Sequence, residues 1–90
     1  MAVLIDPPMW PAHGRLWSHL VTDSDLAELH EFAATAGIPS RAFDHDHYDV
    51  PEERHDELVA LGAQAVSARE LVLRLEASGL RVSQRRKRGL

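Results

Sequence analysis

The spacing of apolar residues changes repeatedly along this 90-residue chain, and those changes constrain its fold more than any single motif. Val3-Leu4-Ile5 is a short apolar run cut off by Asp6-Pro7-Pro8, which reads as a buried strand stiffened at its exit by proline. Pro7 to Gly14, rich in proline, reads as a loop. Leu16 to Thr22 is rich in strand formers. Alternation sets Leu16, Ser18, Leu20 and Thr22 on one face and Trp17, His19 and Val21 on the other. The period then lengthens. Leu26, Leu29, Ala33 and Ala36 recur at helical spacing behind a cap drawn from Thr22, Asp23 or Ser24, and Gly37 ends the helix. A strand over His45 to Val50 is followed by a helix expected to open at Pro51 and close at Gly62, with Leu58 and Leu61 facing inward. Gln64-Ala65-Val66 is a further strand candidate. Ser67-Ala68-Arg69-Glu70 is a capping box for a third helix carrying Leu71, Val72 and Leu75 and stopped by Gly79.

Strands alternating with helices predict a small single-domain α/β sandwich over residues 1–80. Its short sheet is expected to be mostly parallel, with about four strands and three helices, because parallel neighbours need a crossover helix. A chain of this length buries only about 60–65% of the surface its unfolded form exposes, so a site is expected to be shallow, at an edge, or shared in a homodimer. There is no cysteine, which excludes a disulfide framework, a thiolate metal site and a cysteine nucleophile. The first residues have neither the basic region of a signal peptide nor a membrane-length apolar run, so a cytoplasmic protein with no membrane contact is expected.

The net charge of −4 is unevenly distributed. Residues 81–90 hold five basic side chains and no acid, whereas the preceding residues hold five basic against fourteen acidic ones. The body should repel nucleic acid. The basic end, expected to be a disordered tail, suits at most weak, salt-sensitive, non-specific nucleic-acid contact.

Ligand-type residues gather in Asp44-His45-Asp46-His47-Tyr48-Asp49. On a strand, His45, His47 and Asp49 would share one face. That pattern is similar to the metal strand of binuclear metallo-hydrolases, but Val50 stands where a third histidine belongs and the chain is too short for that fold. In a parallel sheet Asp6, Asp23 and Asp49 would leave their strands along one rim with His47, where open α/β sheets hold ligands. Asp6, His47 and Asp49 are therefore candidate ligands of a divalent metal (Zn, Mn or Mg). His19, costly to bury unpaired between Trp17 and Val21, is with Asp49 a candidate proton-transfer or catalytic residue. Arg15 and Arg41 are the basic residues preceding the second helix and are candidates for anion binding. Trp10, in its proline-rich loop, is a candidate lid. The structural alternatives are a hydrogen-bonded strand-end histidine for His47, a helix cap for Asp49, and carboxylate pairing for each arginine.

The combination of Val3-Leu4-Ile5-Asp6, Gly14-Arg15, Ser18-His19-Leu20, Asp23, Glu28-Leu29-His30, Arg41-Ala42-Phe43, His47-Tyr48-Asp49 and Gly62-Ala63 resembles the short bacterial proteins grouped as domain of unknown function 4031. The resemblance implies no activity. It shifts weight toward Asp6, His19, His47 and Asp49, adds His30 and Tyr48 as candidates, and takes weight from Asp44 and His45. Two functions are expected: a non-catalytic module binding a metal ion or a phosphate-containing small molecule or nucleotide, or a metal-dependent phosphoester hydrolase of nuclease or phosphatase type.

Overall fold

The computed structural model describes residues 2–82. A six-stranded sheet carries helices on both faces. Its strands are β1 (Val3–Ile5), β2 (Trp10–Ala12), β3 (Arg15–Thr22), β4 (Phe43–Asp44), β5 (His47–Pro51) and β6 (Gln64–Ala65). The helices are α1 (Leu26–Thr35), α2 (His55–Ala60) and α3 (Ala68–Ser78), with 3-10 turns at Ser40–Ala42 and Glu52–Arg54. The strand order is β4-β5-β3-β1-β6, and β2 pairs with β3 beyond the end of β1.

The sheet is mostly antiparallel, which corrects the expectation of a mostly parallel sheet of about four strands; β1 and β6 form its parallel pair. The reason is instructive. The pairings make β3 and β4 run in the same direction, as do β5 and β6, so α1 and α2 do connect strands of like sense. Those strands are not neighbours: β5 lies between β4 and β3, and β3 and β1 lie between β5 and β6. Two tight turns created the extra strands. His13 and Gly14, both at positive φ (53° and 77°), join β2 to β3, so the expected loop is half of a hairpin. His45, at φ 58°, turns β4 into β5 and is therefore not on the strand face it was expected to share with His47.

Opposite β3, the chain forms one interrupted strand. Ile5 faces Leu20 and Trp10 faces Trp17, so Asp6-Pro7-Pro8-Met9 is accommodated against only Ser18 and His19. Proline has no amide to give to a ladder, and the strand bulges there.

Sheet alternation splits the core in two. Val3, Ile5, Leu20, Tyr48 and Val50 pack on Leu29 and Ala33 of α1 and Leu58 of α2. On the opposite face Leu4 and Val21 pack on Leu71 and Leu75 of α3. Asp25, not the three residues expected, caps α1 by accepting from the Glu28 amide. Pro51 ends β5 and the Glu52–Arg54 turn precedes α2, so that helix opens later than expected. Ser67 caps α3 and Gly79 closes it at φ +81°. The expected basic tail falls largely on residues 83–90, outside the described residues. Before them, Arg81 pairs with Glu76 at 3.0 Å and the Val82 amide donates to Asp46 at 2.8 Å. Among the described residues no helix is long and apolar enough to cross a membrane.

Candidate metal centre

The antiparallel register brings the candidate residues together from the middle of strands rather than from their ends. His19 lies directly opposite Asp49. His47 and Asp49, two apart on β5, share the face that His19 presents on β3, the face packed by α3 near Val21. One ligand-type atom each from His19, His47 and Asp49 lies within 4.8 Å of the other two. Two ligand atoms on a tetrahedral ion with bonds of about 2.0–2.1 Å stand about 3.4 Å apart, so closing on an ion requires side-chain movement of about 1–1.5 Å at most. Side-chain exposures of 35% for His19, 11% for His47 and 31% for Asp49 leave the cluster reachable from solvent.

Each imidazole is held from behind by a buried carboxylate. The Pro7-Pro8 bulge leaves the His19 amide opposite a side chain instead of a ladder carbonyl, and Asp6 Oδ1 accepts from it at 2.6 Å. Asp6 Oδ2 accepts from His19 Nδ1 at 2.9 Å, and the Asp6 amide donates to the His19 carbonyl at 3.3 Å. Asp46, in the turn between β4 and β5, accepts from His47 Nδ1 at 2.7 Å through Oδ1 and from the Val82 amide through Oδ2. An ionised carboxylate can only accept, so each Nδ1 carries the proton and each Nε2 is the nitrogen left for a ligand.

Asp49 Oδ1 lies 3.0 Å from His47 Nε2. The contact lacks hydrogen-bond alignment, and this buried oxygen has no hydrogen-bond donor among the described residues. Burial acts to lower the His47 pKa, but the Asp49 and Asp46 carboxylates on either side outweigh it and the value is raised above the ordinary one. The two carboxylates therefore favour positive charge at the His47 ring.

Members of the triad line two hollows. His19 and His47 line one of about 120 Å³ with Asp46, Leu71, Leu75 and Arg81. Asp49 lines one of about 520 Å³ with Trp10, Trp17, Arg41 and Phe43 among its walls. Trp10 belongs to β2 and stacks on His19, with centroids 5.0 Å apart and planes at 22°.

The other candidates lie elsewhere. Asp23 is at the opposite end of the sheet from Asp6, because β3 runs against β1; it accepts from the Ala2 amide and pairs with Arg74. Arg15 pairs with Glu53. Arg41 stands in the Ser40–Ala42 turn and has no carboxylate partner among the described residues. His30 and Tyr48 are on the other face of the sheet, joined at 2.7 Å between Nδ1 and the phenol oxygen, with the ring of Phe43 against His30. Tyr48 is 2% exposed, and burial raises its pKa. His45 pairs with Asp44 on the surface. The residue missed from sequence is Asp46. Strand alternation placed it opposite His47, whereas the turn points it at the ring; the adjacent Asp-His pair was the available signal.

No curated protein and no solved structure matches the chain. The family model described as Protein of unknown function (DUF4031) matches residues 3–78, most of the chain, including Asp6, His19, Asp46, His47 and Asp49, and the chain belongs to that family.

Proposed function

We propose that this domain binds one divalent transition-metal ion through His19, His47 and Asp49, with Asp6 and Asp46 as the carboxylates that fix the two imidazoles. The observation that carries this reading is the paired arrangement itself: two histidines with Nδ1 engaged by buried acids, and a third ligand with an oxygen that lacks a donor. Two imidazoles and one carboxylate suit Zn²⁺, Mn²⁺ or Fe²⁺, and they suit Mg²⁺ poorly because that ion prefers oxygen. Isothermal titration of the metal-stripped protein should give one site for Zn²⁺, weakened at least tenfold by His47→Ala and by Asp49→Asn and unchanged by His45→Asn. Binding that survives both triad substitutions would refute the assignment.

A second reading, hydrolysis of a phosphoester, is favoured by one feature. Three protein ligands leave a coordination position open for water, whose pKa a bound Zn²⁺ lowers to about 7. The hollow beside Asp49 gives a substrate access. Turnover of p-nitrophenyl phosphate or its diester that requires the metal and disappears in Asp49→Asn supports this reading. A loaded protein inert on both leaves a binding module.

A further inference from the structure

The hollow beside Asp49 has an uneven chemistry. Trp10 and Trp17 give it aromatic surface, Arg41 gives it a cation, and Asp49 joins it to the triad. At about 520 Å³ it falls within the range of small-molecule sites, roughly 300–1,000 Å³. Trp10 and Trp17 have centroids 6.4 Å apart at 31°. A ring sandwiched between them would need about 7 Å, two contacts of about 3.5 Å, so the indoles form a single wall offering one stacking surface.

Arg41 is the charged group that distinguishes this hollow from an ordinary crevice. Arg15, Arg54, Arg74 and Arg81 each pair with a carboxylate, at Glu53, Glu57, Asp23 and Glu76 respectively. Arg41 is exposed, lines the hollow and has no such partner among the described residues. The acids in the same wall are accounted for: Asp44 is held by His45 at 2.6 Å, and Asp49 belongs to the triad. Without an ion at the triad the hollow is acidic apart from Arg41, and an anion would be repelled from its Asp49 side. With an ion there, two positive groups border it. A tetrahedral phosphate has three terminal oxygens to share between a guanidinium and a metal, whereas a carboxylate has two in one plane.

We infer that the hollow is the seat of a phosphate monoester bearing a flat aromatic ring, of the nucleoside monophosphate class. The ring lies on the wall made by Trp10 and Trp17, and the phosphate spans Arg41 and the metal at Asp49. This assignment rests on the metal reading and names the ligand of the same centre.

The chain's two tryptophans both line the hollow, so intrinsic fluorescence reports its occupancy directly. The experiment uses full-length protein, first titrated with Zn²⁺ by calorimetry and then, loaded, with adenosine 5′-monophosphate, adenosine, ribose 5-phosphate and inorganic phosphate. Adenosine 5′-monophosphate should quench the tryptophans and bind at least tenfold more tightly than each of the other three. Arg41→Gln should remove at least tenfold of that affinity while leaving the Zn²⁺ isotherm unchanged. Arg69→Gln, an exposed position on α3, should leave both unchanged. Equal affinity for adenosine and its monophosphate, or undiminished binding in Arg41→Gln, overturns the assignment. Failure to take up Zn²⁺ overturns the metal reading, whereas Zn²⁺ uptake without quenching overturns only the ligand.

Discussion

Replacing Asp6 by asparagine separates what this carboxylate does for the fold from what it does for the centre. Asp6 is 2% exposed and makes two side-chain bonds, Oδ1 to the His19 amide at 2.6 Å and Oδ2 to His19 Nδ1 at 2.9 Å. Asparagine has nearly the same shape, but one of its terminal atoms is a donor. The His19 amide requires an acceptor, so the asparagine oxygen must face the backbone and its NH₂ must face the ring. His19 Nδ1 then has to accept, and the proton moves to Nε2, the nitrogen a metal would use. For stability, both bonds persist but lose the charge of the carboxylate, a loss of about 1 kcal/mol, equivalent to about 4–8 °C in melting temperature for a domain of this size. For the metal, the change costs about 10–100-fold in affinity, or about 1.4–2.7 kcal/mol, because binding must first restore the other tautomer. Asp6→Ala should invert the balance, destabilising by about 1–3 kcal/mol through an unpaired buried amide.

The assays are urea denaturation for stability, Zn²⁺ calorimetry for affinity, and nitrogen-15 NMR of the histidine rings for the tautomer. If Asp6→Asn binds Zn²⁺ within twofold of the native protein while the ring nitrogens show the changed tautomer, His19 is not a ligand and the orienting role of Asp6 is wrong.

Three further outcomes follow from the same geometry. Burial acts to raise the Asp23 pKa, but Arg74 and the Ala2 amide outweigh it and hold it below the ordinary value, so this stabilisation is present above the normal carboxylate range and lost as pH falls through the folded value. Urea midpoints taken at stepped acidic pH should fall less steeply in Asp23→Asn than in the native chain. The raised His47 pKa has the opposite sign: in metal-free protein its stabilisation is complete below the ordinary histidine value and is lost as pH rises through the folded one. Zn²⁺ must displace that proton, so affinity should weaken as pH falls below the folded value, and calorimetry in buffers of different ionisation enthalpy should detect proton release. Ser18 Oγ is buried on the core face with no hydrogen-bond partner among the described residues, so Ser18→Ala should be neutral or stabilise by up to about 1 kcal/mol in denaturant, and a loss beyond that would mean the hydroxyl is satisfied.

The sequence made local elements legible where one physical signal dominated. Val3-Leu4-Ile5 is apolar on both faces because helices cover both sides of β1, and Ser67 with Gly79 marks both ends of α3. Topology was not legible, because strand neighbours were set by two turns without strong signatures. His13-Gly14 lies inside a proline-rich stretch, and His45 adopts positive φ without being glycine. These turns also decided the site. A parallel sheet would have lined up Asp6, Asp23 and Asp49 at strand ends; the antiparallel one sends Asp23 to Arg74 and sets His19 beside Asp6 on one flank and Asp49 on the other. The same bulge that breaks the ladder at Pro7-Pro8 leaves the His19 amide to Asp6, so a backbone defect seats the carboxylate that also bonds to the His19 ring. At the other histidine, the β4–β5 turn delivers Asp46 to His47. Both imidazoles are thus aimed by irregular backbone next to a regular strand. Alternation read from sequence puts the candidate ligands His47 and Asp49 on one face and misses the turn-borne acid, Asp46, that bonds to His47.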